Sequence, residues 1–117
     1  PYPLKISRDR VTQEDAPVTF LQPDHVVLNQ PNKMTKSDFD DWVQERGLYF
    51  PDGWSKEYQA ILSWSDSGEQ PKKGGLLIAP YGRGNYVYTG ISFFRELPAG
   101  VSGAYKLLVN LISLSHE

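Results

Sequence analysis

The 117 residues contain no cysteine. That excludes disulfides and every thiolate chemistry, nucleophilic or metal-binding, while leaving an oxidising compartment open. No apolar run approaches the ~20 residues that a membrane-spanning helix needs, so no membrane insertion is expected. Histidine is scarce. His25 and His116 stand alone, with no HxxE, HxH or HExxH spacing around them, so neither a metal centre nor another cofactor is expected. Charge of one sign is also lacking: 12 basic against 14 acidic residues leave a net charge of -2. Nucleic acid is not expected as a partner, because the phosphate backbone rewards a basic face. There is no Gly-x-Ser-x-Gly elbow to raise a nucleophile. The Gly82-x-Gly84 pair lacks a following Gly-Lys-Ser/Thr and leads into a strand, which makes it a turn and not a phosphate loop. No repeat, low-complexity tract or linker divides the chain. It reads as a single module over 1–117 that opens at Pro1 without a methionine, as expected of a fragment of a larger multidomain protein.

What the chain does have is aromatic side chains, 13% of the residues. They either pack a sheet and core or form a stacking surface. The organising stretch is Gly74–Phe94. Leu76 to Pro80 and Tyr86 to Ile91 are strand-like runs joined by Tyr81-Gly82-Arg83-Gly84-Asn85, which predicts an antiparallel hairpin. Bulk on both faces of the second run predicts cover on both sides. Further strands are expected near the N-terminus, at Pro17–Leu21 and at Gln59–Trp64, with Arg8-Asp9-Arg10 as a charged turn. A helix is predicted over 36–46, opened by a Thr35/Asp38 capping box, apolar at Phe39, Trp42 and Val43, and closed by Gly47. Residues 48–58 read as an aromatic loop. A second helix is predicted over 101–114, with Val101, Ala104, Leu108, Leu111 and Ile112 on one stripe, ahead of a polar tail at His116 and Glu117. The fold class is therefore mixed α/β: one sheet of about five strands, a hairpin near 76–91 and two helices.

No complete catalytic set appears. The candidate binding residues are Trp42, Glu45, Arg46, Tyr49 and Trp54 around the end of the first helix and the aromatic loop. Arg83 at the hairpin tip could reach a ligand. Phe94 and Arg95 stand where the last strand ends, a place where sites collect in open α/β sheets.

Taken together, WVQERGLYFP (Trp42–Pro51), the YGRG turn at Tyr81–Gly84, YVYTGISFFRELPAGV (Tyr86–Val101) and GAYKLLVNLISL (Gly103–Leu114) carry a resemblance. From about Pro3 to Leu114 the chain resembles the C-terminal region of large bacterial PIG-L/LmbE-family deacetylases of the Bacteroidetes type. That region is similar to the second half of a class I glutamine-amidotransferase-like, or ThuA-like, domain. The resemblance implies an accessory role beside an N-terminal zinc deacetylase domain, and an exported or envelope protein. It supplies no catalytic residue. The family's zinc ligands follow a His-Pro-Asp-Asp pattern, whereas this chain has Pro23-Asp24-His25, and the amidotransferase cysteine has no counterpart. PDHVVLN is similar to a His-Pro segment of ThuA-like domains, with Val26 in the proline's place.

Three functions remain open. The chain is a non-catalytic interaction module whose partners are other domains of its parent or a carbohydrate; or half of a hydrolase domain in which His25, Glu45 and Arg46 converge; or purely structural, its aromatics packed as core and interdomain glue with Trp42 and Trp54 buried. A half-domain would expose a sheet edge, which invites pairing between copies.

Overall fold

The structure, a computed structural model, describes residues 2–114. The polar tail expected at His116 and Glu117 lies outside them. Seven strands and two α-helices follow one another: β1 (Leu4–Val11), β2 (Val18–Phe20), β3 (Gly47–Trp54), β4 (Gln59–Ala60), β5 (Leu62–Trp64), β6 (Leu76–Tyr81), β7 (Gly84–Thr89), α1 (Phe93–Glu96) and α2 (Ser102–Ile112). This is a mixed α/β module. The single sheet of about five strands is replaced by three small ladders, β1-β3, β2-β5 and β4-β6-β7, and each of their pairings is antiparallel. The breaks have local causes. Ile61 interrupts β4 and β5 because its carbonyl accepts from Leu21 while its N–H donates to Leu76, tying two ladders at one residue. At the other end, the bridge between Gly47 and Ile91 and the bond from Leu48 N–H to the Gly90 carbonyl join β3 to the residues after β7.

The hairpin forms as its sequence predicts, with β6 and β7 in register from Leu76↔Thr89 to Tyr81↔Gly84. Its turn is tighter than expected, since only Gly82 and Arg83 lie between the paired ends. Gly82 takes φ +58°, where an L side chain is strained. β6 is covered on both faces; Leu76 and Ile78 enter the main core, and Leu77 and Ala79 a smaller cluster with Tyr58. β7 is an edge strand in its ladder and is covered only in part, Val87 against the main core on one face and Tyr88 against the smaller cluster on the other.

The predicted helix over 36–46 is one 3-10 turn, Lys36–Phe39. Its start is as expected, with Thr35 N–H donating to the Asp38 carboxylate at 2.8 Å. It ends early because side chains take the backbone groups that an α-helix would pair. The Asp38 carbonyl accepts the Trp42 indole N–H at 2.9 Å, and the Phe39 carbonyl accepts the Arg46 guanidinium at 2.5 Å. The N–H groups of Val43 and Gln44 donate instead to the carboxylates of Glu96 and Glu14. Gly47 accordingly opens a strand, not a left-handed cap, and the expected aromatic loop 48–58 is mostly β3. Arg8-Asp9-Arg10 lies within β1, not in a turn.

Phe39, Trp42, Phe50 and Trp64 form the aromatic centre of the core, with Phe39 stacked on Trp42 at 5.1 Å and Phe50 edge-on to Trp64 at 5.9 Å. Phe50 reaches the centre because Gly47 and Gly90 let the backbones close over its ring. A Cβ on either would stand within 2.4 Å of a backbone oxygen. The buried face of α2 carries Ala104, Leu107 and Asn110, whereas Ile112, placed by sequence on the apolar stripe, is exposed.

Candidate functional site

β3 and β1 do not pair evenly. Gly47 pairs with Val11 and Phe50 with Asp9, so Leu48 and Tyr49 together stand opposite Arg10 alone. This is a β-bulge, and its second residue takes the left-handed conformation: Tyr49 has φ +56°. Glycine would adopt that conformation without strain, whereas a residue with a Cβ forfeits about 1–2 kcal/mol there. The strain buys no burial, because Tyr49 is 62% exposed. The bulge is held from behind. The Tyr88 hydroxyl donates to the Tyr49 carbonyl at 2.9 Å, and Leu48 N–H donates to the Gly90 carbonyl at 2.8 Å.

In front of the bulge lies a shallow groove of about 290 Å³, lined by Leu48, Tyr49, Tyr88, Gly90 and Phe94 among others. Phe94 is 61% exposed, presented by the short α1. The Arg95 guanidinium carbon lies 5.0 Å from the centre of the Phe94 ring, and Arg95 Nε donates to Glu45 Oε1 at 2.9 Å. The groove thus holds two exposed aromatic rings, and the ion pair of Arg95 with Glu45 stands against Phe94 without lining the groove. On the other side of Tyr49 a second groove, about 380 Å³, runs between Leu48, Tyr49, Arg8 and Arg10.

Of the residues proposed from sequence, Tyr49 and Phe94 line this groove, and Arg95, paired with Glu45, stacks on Phe94. Trp42 and Arg46 do not; they are 2% and 3% exposed and belong to the core. Arg46 donates through Nε and Nη2 to the Ala16 carbonyl and lies over the rings of Phe39 and Trp42. Trp54 is half-buried at the far end of β3, between grooves of its own. Arg83 sits at the hairpin tip, at the opposite end of β7 from Gly90. The residues that sequence reasoning missed are Tyr88, Leu48, Arg8 and Arg10. The i, i+2 spacing of the two arginines was a usable sign of one strand face, hidden by reading their segment as a turn.

His25, Glu45 and Arg46 engage three different sets of partners. The His25 side chain caps the 3-10 turn Val26–Leu28, its Nδ1 accepting from Val27 N–H at 3.1 Å. Burial pushes its pKa below the usual value, against a hydrogen bond with Gln59 that raises it. A depressed folded value means that the unfolded chain binds the proton more readily, so this contribution holds above about pH 6.5 and fades as pH falls. Wild type is therefore expected to lose up to about 1 kcal/mol of cap stability between pH 7 and 5 relative to His25→Asn, which keeps an acceptor without titrating. Urea unfolding of both proteins across that range measures the difference; parallel curves would contradict it.

Among the described residues no group of three or more His, Cys, Asp and Glu side chains is placed to hold a metal ion, and no helix is long and apolar enough to cross a membrane. Comparison with protein-family models, with curated proteins and with solved structures finds no match for this chain.

Proposed function

We propose that this chain is a non-catalytic interaction module that binds a carbohydrate in the groove between Tyr49 and Phe94. The observation that carries the reading is Tyr49: a bulky side chain held at φ +56° by a pinned bulge and left 62% exposed beside an equally exposed phenylalanine. Strain of that kind concentrates where a side chain is held ready for a ligand. Two accessible rings give the C–H faces of a sugar an apolar platform, and Arg95 with Glu45 offers donors and acceptors to its hydroxyls. On the resemblance of WVQERGLYFP and SFFRELPAGV, the module is the accessory part of a PIG-L/LmbE-like deacetylase, built on half of a glutamine-amidotransferase-like domain. Its other partners would then be neighbouring domains of that parent, or a second copy of the module at an open sheet edge.

Retention on an oligosaccharide array tests the binding. Tyr49→Gly and Phe94→Ala are each expected to weaken retention at least tenfold, while Arg83→Gln at the hairpin tip leaves it unchanged. Tyr49→Gly relieves the backbone strain as it removes the ring. Its stability should stay within about 1 kcal/mol of wild type, because the relief offsets the added freedom of the unfolded chain. An intact protein that retains no glycan, or a Tyr49→Gly variant that binds as wild type, would dispose of the carbohydrate reading.

A further inference from the structure

Resting on that reading, the second groove says which carbohydrates. We propose that the ligand is an acidic saccharide, whose carboxylate or sulfate meets Arg8 and Arg10 while a sugar ring lies against Tyr49.

Leu48 and Tyr49 line both grooves, so the aromatic platform and the arginines adjoin across these two residues. Both arginines are exposed, and among the described residues neither guanidinium makes a hydrogen bond or an ion pair. Lys72, Arg95 and Lys106 are ion-paired and Arg46 is held by carbonyls, whereas Arg8 and Arg10, like Arg83 and several lysines, are not; what distinguishes these two is that both line one groove. The acid whose charge Arg10 feels, Asp66, already accepts from Thr12 N–H, the Thr12 hydroxyl and Gln13 N–H at 2.7–3.0 Å.

Two unpaired like charges side by side on a strand repel each other. Asp66 answers the charge of Arg10 without a direct ion pair, which leaves both guanidinium forks open to a ligand. The planar guanidinium fork matches the paired oxygens of a carboxylate or sulfate. The backbone fixes the pair in place. Between Ile6↔Pro51 and Asp9↔Phe50, β1 carries Ser7 and Arg8 as extra residues, and the Ser7 hydroxyl spans this bulge, donating to the Phe50 carbonyl at 2.5 Å and accepting from Asp9 N–H at 2.9 Å.

The test is equilibrium binding of the 117-residue chain to four labelled probes. These are oligogalacturonate, its neutral methyl ester, a sulfated galactan oligomer and inorganic polyphosphate. Oligogalacturonate or the sulfated galactan is expected to bind at least tenfold tighter than the methyl ester, and which of the two does so identifies the acidic group. Arg8→Gln with Arg10→Gln should erase that preference and leave binding of the neutral ester as it was. Tyr49→Gly should weaken both. If neutral and acidic oligomers bind equally, or the double glutamine variant keeps the preference, the inference fails while carbohydrate binding stands. If no saccharide binds, both fail. If polyphosphate binds as tightly as the acidic saccharides and Tyr49→Gly changes nothing, the arginines form a general polyanion surface and the inference is overturned.

Discussion

Replacing Asn110 with leucine is expected to lower the stability of this protein by about 3–5 kcal/mol, although the substitution makes α2 more apolar. Asn110 is fully buried, on the face of α2 that points into the core beside Leu107. Its Oδ1 accepts from Asn32 N–H at 3.0 Å, and its Nδ2 donates to the carbonyls of Val27 at 2.8 Å and Asn32 at 2.7 Å. One amide thus satisfies three backbone groups in the irregular segment between β2 and β3, whose other backbone bonds are mostly short-range turns. Leucine fills a similar volume but leaves all three groups without partners, each costing about 1–3 kcal/mol where water cannot reach it. Burial of the extra methyl groups recovers only part of that loss. Urea unfolding measures it, and amide exchange at Asn32 should accelerate in the variant. A change below 1 kcal/mol would mean that the segment finds its bonds elsewhere.

The same asparagine shows where the sequence stopped being readable. The pattern of apolar residues locates α2 within two residues at each end, because a helix that packs on one side must repeat near 3.6. It could not identify the residue that anchors the helix, since Asn110 looks like an interruption of the stripe. The hairpin was legible for a comparable reason: β-branched and aromatic runs around Gly82 admit few other local solutions. The segment from Thr35 to Arg46 was not. Its cap, acids and apolar spacing all favour a helix, yet the bonds that end it come from Glu14, Glu96 and its own Trp42 and Arg46, at sequence distances of up to 53 residues. Local propensity is a weak prior when tertiary partners compete for the same N–H and carbonyl groups. At the candidate site, exposed Tyr49, Phe94 and Arg95 could be guessed from residue type. Arg8 and Arg10 share an i, i+2 spacing that the sequence shows, but their place beside Leu48 and Tyr49 comes from the register of β1 against β3, which shifts at three points.

Arg46→Met should be about as costly, near 3–5 kcal/mol, and its cost should depend on pH in a direction that identifies the cause. Arg46 is 3% exposed, bonded to the carbonyls of Ala16 and Phe39, and it is a cation in the field of Glu96, which is fully buried. Burial pushes the Glu96 carboxyl above its usual pKa; Val43 N–H, the Ser92 hydroxyl and the charge of Arg46 oppose that rise. Methionine spans a similar length without charge or donors, so the carbonyls lose their partner and the Glu96 pKa rises further. A raised folded value means that the native state holds the proton more tightly than the unfolded chain. The associated stability is complete below about pH 4.5 and is lost as pH climbs through the folded value. The deficit of Arg46→Met should therefore be largest at neutral pH and shrink towards pH 5. In the Glu96→Gln background the amide keeps the shape without the charge, and the cost of Arg46→Met should no longer vary with pH. Denaturant unfolding of the four proteins between pH 5 and 8 gives both slopes. A deficit equally pH-dependent with glutamine at position 96 would assign the cost to the lost carbonyl bonds and to some other titrating group, and would remove Glu96 as the partner that makes this buried arginine necessary.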